Sequence, residues 1–256
     1  MAKGLNVLDQ WAFAAAAFAA LLAGISKGGF GGSLAFAGTA ILALVVDPGV
    51  ALALMLPVLM AIDLAAVRTY WGRWHAASAR AVLTGAVPGL ALGAALFSVV
   101  SDDFIRVMIG VVALGFVAFR LAGATGLIAP RPRPFDARKG WAAGAAAGFT
   151  SFVAHAGGPP FAMFMLGQDG IGKTQYHATS VIVFWLVNAA KAVLYAMLGL
   201  FTFSSLGTSA LMIPFALLGT WIGVHAHARI PERAFFSVAY AALTVTAARL
   251  LWDGLA

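Results

Sequence analysis

The sequence predicts an all-α polytopic membrane protein made of two inverted-topology repeats, each a re-entrant, broken helical hairpin plus three transmembrane helices. Three observations carry that expectation: a strongly apolar composition, an internal offset near 125 residues, and a loop charge pattern whose sign is swapped between the halves. With 62% hydrophobic and 10% charged residues and a mean hydropathy of +0.95, the chain has too little polar surface to cover a soluble globule. Several apolar stretches approach the ~20 residues a helix needs to cross a hydrocarbon layer of ~30 Å. Alternation over ~10 residues, the mark of a barrel strand, is missing. The first apolar run lacks a basic leader and a small-residue cleavage site, so it is expected to stay in the mature chain.

The elements follow in order. The apolar segments are Trp11 to Val46 (interrupted), Val50 to Tyr70, Ala81 to Val100, Phe104 to Leu121, Trp141 to Gly167 (interrupted), Ala178 to Phe203, Leu206 to Val224, and Ala234 to Trp252. Between them, "RPRPFDARK", Arg131 to Lys139, is proline-broken and basic, and reads as a loop. The expected division is residues 1–125 as the first repeat, 126–140 as a basic cytoplasmic linker and 141–256 as the second repeat.

Gly24 and Gly148 differ by 124 positions, Asp63 and Asn188 by 125, and Pro88 and Pro214 by 126. Order and offset together argue for duplication. The loop after the second segment carries Arg68, Arg73 and Arg80, and the next carries Asp102 and Asp103. In the second half the matching loops are the uncharged "FTFSSLG" and the basic "HAHARIPER". Basic loops stay cytoplasmic, so equivalent loops on opposite sides mean inverted repeats, each with an odd number of crossings. Three intact helices already supply an odd number, so the interrupted segment must enter and leave on one side. Trp11 to Val46 would measure about 54 Å as one helix, too long for a crossing; halved at its glycines, each leg covers about 20 Å, too short for one. Two hairpins meeting near the midplane, with both chain termini outside, satisfy these limits. The rival is a discontinuous first helix, giving four plus four crossings in parallel.

Non-helical backbone at membrane depth is tolerated where it is buried in protein or lines a cavity. In "GISKGGFGGSLAF", Gly24 to Phe36, the glycines around Lys27 therefore imply a cavity, and Ser33 is a suitable N-cap for the returning leg. Helix N-termini attract anions, and Lys27 adds a full charge. The second half offers "GFTSFVAHAGGPPF", Gly148 to Phe161: Gly157 and Gly158 for the turn, Pro159 or Pro160 for the first helical position, and Thr150, Ser151 and His155 as hydrogen-bonding groups. The bland alternative is that these glycines only permit close helix packing.

Intramembrane ionisable groups are expensive and mark pathways or partners. Asp63 lies in the second segment; Asn188 and Lys191 lie in the sixth, three apart and on one face. Asp63 suits a proton-coupling group or a structural partner of Lys27 or Lys191. Arg68, toward its helix end, suits gating or topology.

The formal charge of +7 does not point to nucleic acid, because Lys and Arg sit between apolar segments with no recognition module. The absence of cysteine excludes disulfides and thiolate chemistry. No HExxH or GxxxxGK[ST] motif occurs, so neither a metal site, a cofactor nor ATP hydrolysis is expected. An intramembrane enzyme would rest on Ser26, Ser33 and His155, and no third orienting group accompanies them.

At these residues a resemblance emerges. "GISKGGFGG" followed by "MAIDLAAV", and "GFTSFVAHAGGPPF" followed by "ATSVIVFWLVNAAK", resemble the paired signatures of the sulfite exporter TauE/SafE permease family, also called the toluenesulfonate uptake permease family. The resemblance implies a multi-pass transporter of the cell inner membrane for sulfite or organosulfonates such as sulfoacetate, working by export or by uptake. Ser26 and Lys27 with the glycines that follow, and His155 to Pro160, would form its substrate region. The expected binding set is Ser26, Lys27, Gly28, Gly29, Ser33, Thr150, Ser151, His155, Gly157, Gly158, Asn188 and Lys191, with Asp63 and Arg68 for coupling or gating. Partners are the small anion, the lipid bilayer and protons as coupling ion. An anion channel and an uptake permease for another organic anion are the alternatives.

Overall fold

A computed structural model describes residues 10–29, 34–127, 133–227 and 232–256. Among them are ten helices: α1 Gln10–Gly29, α2 Ala35–Leu42, α3 Pro48–Tyr70, α4 Ala76–Phe97, α5 Asp102–Ala124, α6 Ala137–Ala154, α7 Gly158–Leu166, α8 Lys173–Met197, α9 Phe203–His227 and α10 Glu232–Leu255. Six of them (α1, α3, α4, α5, α8 and α9) are long and apolar enough to cross a membrane. This is a polytopic membrane protein, and no strand occurs among the described residues. Each half has the same order: a long helix, a break, a short helix, then three long helices.

The short helices fold back. A Cβ added at Gly38 in α2 would lie 2.4 Å from the Ala19 carbonyl oxygen in α1, whereas one continuous helix would separate these residues by about 28 Å. In the second half Phe164 of α7 touches Gly140 of α6. The hairpin base is tied by Arg133, which donates to Gly167 O at 3.0 Å and accepts from Asp169 N at 2.9 Å. The legs are unequal, which corrects the expectation of two halves of about 20 Å. α1 has 20 residues and α2 has 8, about 30 Å and 12 Å; α6 has 18 and α7 has 9. Helix persists through Gly28 and Gly29 because their missing side chains are answered by a neighbouring helix. The expected loop Arg131 to Lys139 is also shorter at its end: the Asp136 side chain accepts from Arg138 N at 2.9 Å and from Lys139 N at 3.5 Å, capping α6 at Ala137.

Helices in lipid gain little from the hydrophobic effect between themselves and associate through close packing of small residues. Two seams show this. Along α1 and α9, Cβ atoms at Gly24 and Gly28 would lie 2.0 Å from Ala216 O and 2.3 Å from Thr220 O. Along α4 and α6, Cβ atoms at Gly85 and Gly89 would both lie 2.1 Å from carbonyls, those of Trp141 and Ala145. In both seams the partners advance together, so each pair runs parallel. The first helix of each half thus packs along the second intact helix of the other half. α5 and α10 run antiparallel, Gly110 meeting Ala247 and Leu251 while Gly254 meets Asp103 and Val107.

Polar contacts mark the two ends of the bundle. At one end the α3–α4 turn meets α8 and the second hairpin: His75 N donates to Thr179 Oγ1 at 2.9 Å, and Ser78 Oγ donates to Gln168 Oε1 at 2.8 Å. At the other, Arg106 in the first turns of α5 bonds Asp103 at 2.6 Å and lies 3.6 Å from Asp47, the residue before α3.

Candidate functional site

From the end of α1 to the end of α6 runs a continuous chain of buried and half-buried polar groups, and each link follows from helical position. Lys27 falls in the last turn of α1 and forms an ion pair with Asp63 of α3 through Oδ1, their side chains being 17% and 5% exposed. Oδ2 of Asp63 accepts from Asn188 Nδ2 at 3.1 Å. The amide is thereby oriented with Oδ1 toward Lys191, one turn further along α8, whose Nζ donates to it at 3.3 Å. Lys191 Nζ also donates to Ser151 Oγ at 3.2 Å and to His155 Nδ1 at 2.5 Å. The far end is fixed by backbone: His155 Nε2 faces Leu52 O at 3.1 Å. A carbonyl only accepts, so Nε2 carries the proton and Nδ1 offers its lone pair to Lys191.

Two features of this chain bear on its chemistry. Asp63 and Asn188, separated by 125 positions, bond directly to each other where α3 meets α8. Lys191 is fully buried. Its Nζ has three hydrogen-bonding partners, none of them a carboxylate. Its ammonium also lies 5.8 Å from the centre of the Tyr195 ring, within cation–π range. Buried charge is tolerated only when such partners replace water.

The breaks differ from expectation in their details. His155, not a glycine, takes the left-handed conformation at the end of α6, with φ of 55°. The turn is held by His155 N to Ser151 O at 3.0 Å and Ala156 N to Thr150 O at 3.1 Å. Thr150 Oγ1 adds bonds to Ala146 O at 2.8 Å and Ala156 O at 3.0 Å, so its hydroxyl serves the tip's backbone. Pro159 and Pro160 stand in the first turn of α7 as expected. Ser33 lies outside the described residues; the N–H of Leu34, just before α2, is instead met by Ser26 Oγ of α1 at 3.1 Å.

Lys27, Asp63, Ser151, His155, Asn188 and Lys191 therefore come together, while the Ser26 hydroxyl serves the backbone at Leu34. Gly28 and Gly29 face α9, where Cβ atoms would lie 2.3 Å from Thr220 O and 2.2 Å from Gly223 O, so close packing accounts for them. Gly157 is buried against Phe184, Ala147 O and Ser151, and Gly158 opens α7. Arg68 is exposed near the end of α3, apart from the polar chain.

Sequence reasoning missed Leu52 and Tyr195. Tyr195 Oη donates to Phe152 O at 2.7 Å and braces the second tip. Leu52 enters through its carbonyl, which no side-chain pattern reveals. The available signal was Pro57 within α3, which removes the N–H that would answer Ala53 O. Side chains reach the carbonyls on either side of that gap, His155 at Leu52 and Ser209 Oγ at Leu54, the latter at 2.9 Å.

The profile of the family described as Sulfite exporter TauE/SafE matches residues 16–250, from early α1 nearly to the end of α10. The chain belongs to the sulfite exporter TauE/SafE family. The first hairpin from Ala16 onward, the whole second hairpin and all the residues of the polar chain lie inside the matched span. No curated protein and no solved structure matches the chain. TauE/SafE membership makes a sulfur-anion transporter the functional class.

Proposed function

We propose that this TauE/SafE chain is a secondary carrier of the inner membrane, an exporter, for sulfite or small organosulfonates. The anion would sit between the two hairpin tips and move with protons. The observation that carries the reading is the continuous polar chain from Lys27 to His155, which joins tip to tip through the repeat-equivalent pair Asp63 and Asn188. Membrane-buried ions persist where a pathway or partner needs them. Here Lys27 is the member of the ion pair with partial exposure, and Lys191 is closed off. Anion entry at Lys27 followed by rearrangement around Lys191 is what alternating access requires.

Inverted repeats fit the helix directions. α6 runs parallel to α4, which starts at the α3–α4 turn beside Thr179 of α8. α1 runs parallel to α9, which starts at the opposite end of α8. The hairpins would then enter from opposite sides, and rocking of one repeat against the other would expose the tips alternately. Residues 1–125 and 141–256 would be the moving units, and Arg68, exposed at the basic end, a gate.

Binding to the purified protein of sulfite, sulfate, taurine, sulfoacetate and toluenesulfonate, followed by counterflow in proteoliposomes, tests the carrier. Saturable binding of a sulfur anion with counterflow is expected. Binding of none of them overturns the reading, and flux without saturation or counterflow replaces it with an anion channel.

A further inference from the structure

We propose that Lys191 is the group that takes up and releases the coupled proton, an inference that rests on the carrier reading above and names its coupling residue. Lys191 is fully buried, and its Nζ meets three polar atoms: His155 Nδ1 at 2.5 Å, Ser151 Oγ at 3.2 Å and Asn188 Oδ1 at 3.3 Å. Two of them are acceptors. His155 Nε2 donates to Leu52 O, which leaves Nδ1 a lone pair, and Asn188 turns Oδ1 toward Lys191 because its amide nitrogen donates to Asp63. The third is a hydroxyl, which donates or accepts by rotating about its C–O bond. An amine, with two N–H groups and one lone pair, donates to His155 and Asn188 and accepts from Ser151. An ammonium, with three N–H groups, donates to all three, while the Ser151 hydrogen turns to the carbonyl of Ala147 one helical turn earlier, the usual acceptor for a serine inside a helix. Both charge states are satisfied with the heavy atoms in the same places.

Uptake forms one N–H bond from the Nζ lone pair and the incoming proton, and release breaks it. The charged form also gains the face of Tyr195, whose ring centre is 5.8 Å from Nζ. Asp63 lacks this freedom. Lys27 holds its Oδ1 in an ion pair and Asn188 holds its Oδ2, so protonating either oxygen gives up a partner. Asp63 and Lys27 stand one link from Lys191, through Asn188. The other charged groups of the helices packed on α8 lie toward helix ends: Arg68 exposed near the end of α3, Arg80 in the first turns of α4 with Nε on Ala76 O, and Arg138 and Lys139 in the first turn of α6; α7 has none. With Lys191 as an amine, Lys27 and Asp63 cancel and the cluster is neutral in sum. With Lys191 as an ammonium it carries one net positive charge, which a buried anion offsets. Proton and anion then bind together, each raising the affinity for the other.

Calorimetry on the full-length protein in detergent, at mildly basic pH and in buffers of different ionisation enthalpy, counts the protons taken up when methanesulfonate binds. Methanesulfonate is chosen because it has no titrating proton of its own. Wild type is expected to take up about one proton per anion, with affinity falling about tenfold for each unit rise in pH. Lys191→Arg, permanently charged, should bind with neither proton uptake nor pH dependence. Asp63→Asn, which leaves Lys191 and its three partners in place, should keep both. Binding to wild type without proton uptake overturns the inference and leaves the carrier intact. So does uptake that survives in Lys191→Arg or Lys191→Gln, and so does uptake that disappears from an Asp63→Asn protein that still binds. Failure of methanesulfonate and every other sulfur anion to bind wild type removes the carrier reading, and this inference with it.

Discussion

His155 holds a left-handed backbone, with φ of 55°, that a non-glycine residue adopts at a cost of about 1–2 kcal/mol. Its ring explains why the strain persists, since one nitrogen anchors to Leu52 O on α3 and the other accepts from Lys191 on α8. Backbone relief and ring chemistry can be separated by mutation. His155→Ala loses the ring and keeps the strain, whereas His155→Gly loses the ring and relieves it. His155→Gly is therefore expected to be the more stable of the two by about 1 kcal/mol in detergent, with both weakened in anion binding. Equal melting temperatures would remove strain from the account. At Lys27 the resting partner is Asp63, so Lys27→Ala leaves a nearly buried carboxylate unpaired and is expected to destabilise by about 3–5 kcal/mol. Asp63→Asn removes the one carboxylate in the chain of contacts; if Asp63 carries the coupled proton, the pH dependence of transport flattens in that variant. An identical profile in reconstituted vesicles would assign Asp63 to structure alone.

Helices in this protein meet through glycine. The α1–α9 seam brings backbones together at Gly24, Gly28, Gly29, Gly219 and Gly223, and the α4–α6 seam does so at Gly85, Gly89, Gly144 and Gly148. A Cβ at Gly223 would lie 2.4 Å from Ile25 O and 2.9 Å from Gly29 N, both backbone atoms that move only with their helices. Gly223→Ala is expected to destabilise by roughly 1–3 kcal/mol through overpacking. Gly115 in α5 has no atom within 4 Å of an added Cβ. Gly115→Ala should be neutral or stabilise by up to about 1 kcal/mol, because alanine is the better helix former. Melting temperatures of the two purified variants check the contrast, and a Gly223→Ala protein as stable as wild type would dissolve the seam as a constraint. The glycine-rich stretch around Lys27 thus serves two elements at once. Gly28 and Gly29 are packing positions on α1, which is helical through both of them.

For the whole molecule the open question is orientation, and a chain without cysteine is convenient for asking it. Arg73, in the turn between α3 and α4, and Phe203, at the start of α9 and 97% exposed, belong to equivalent turns of the two halves. Inverted repeats place them on opposite faces, with the basic Arg73 side cytoplasmic. Arg73→Cys should be labelled by a membrane-impermeant maleimide only from the cytoplasm, and Phe203→Cys only from outside. Labelling of both from one face would establish parallel repeats. Much of the architecture was legible because it is local: apolar length announces a span, and a Gly or Pro cluster announces a break. The leg lengths were not legible, because whether Gly28 and Gly29 break α1 depends on α9 lying against them.

The residue types and their order determined the class, the repeated element order, the family signatures and the identity of the rare ionisable groups, since composition and spacing are properties of the chain itself. Tertiary structure decided who meets whom. Lys27 pairs with Asp63 across 36 positions, and Asn188 reaches Asp63 across 125, because α3 lies between α1 and α8. The choice of Leu52 O as the anchor for His155 belongs to the same level, since backbone acceptors carry no sequence signature and become specific only when packing brings a donor within reach.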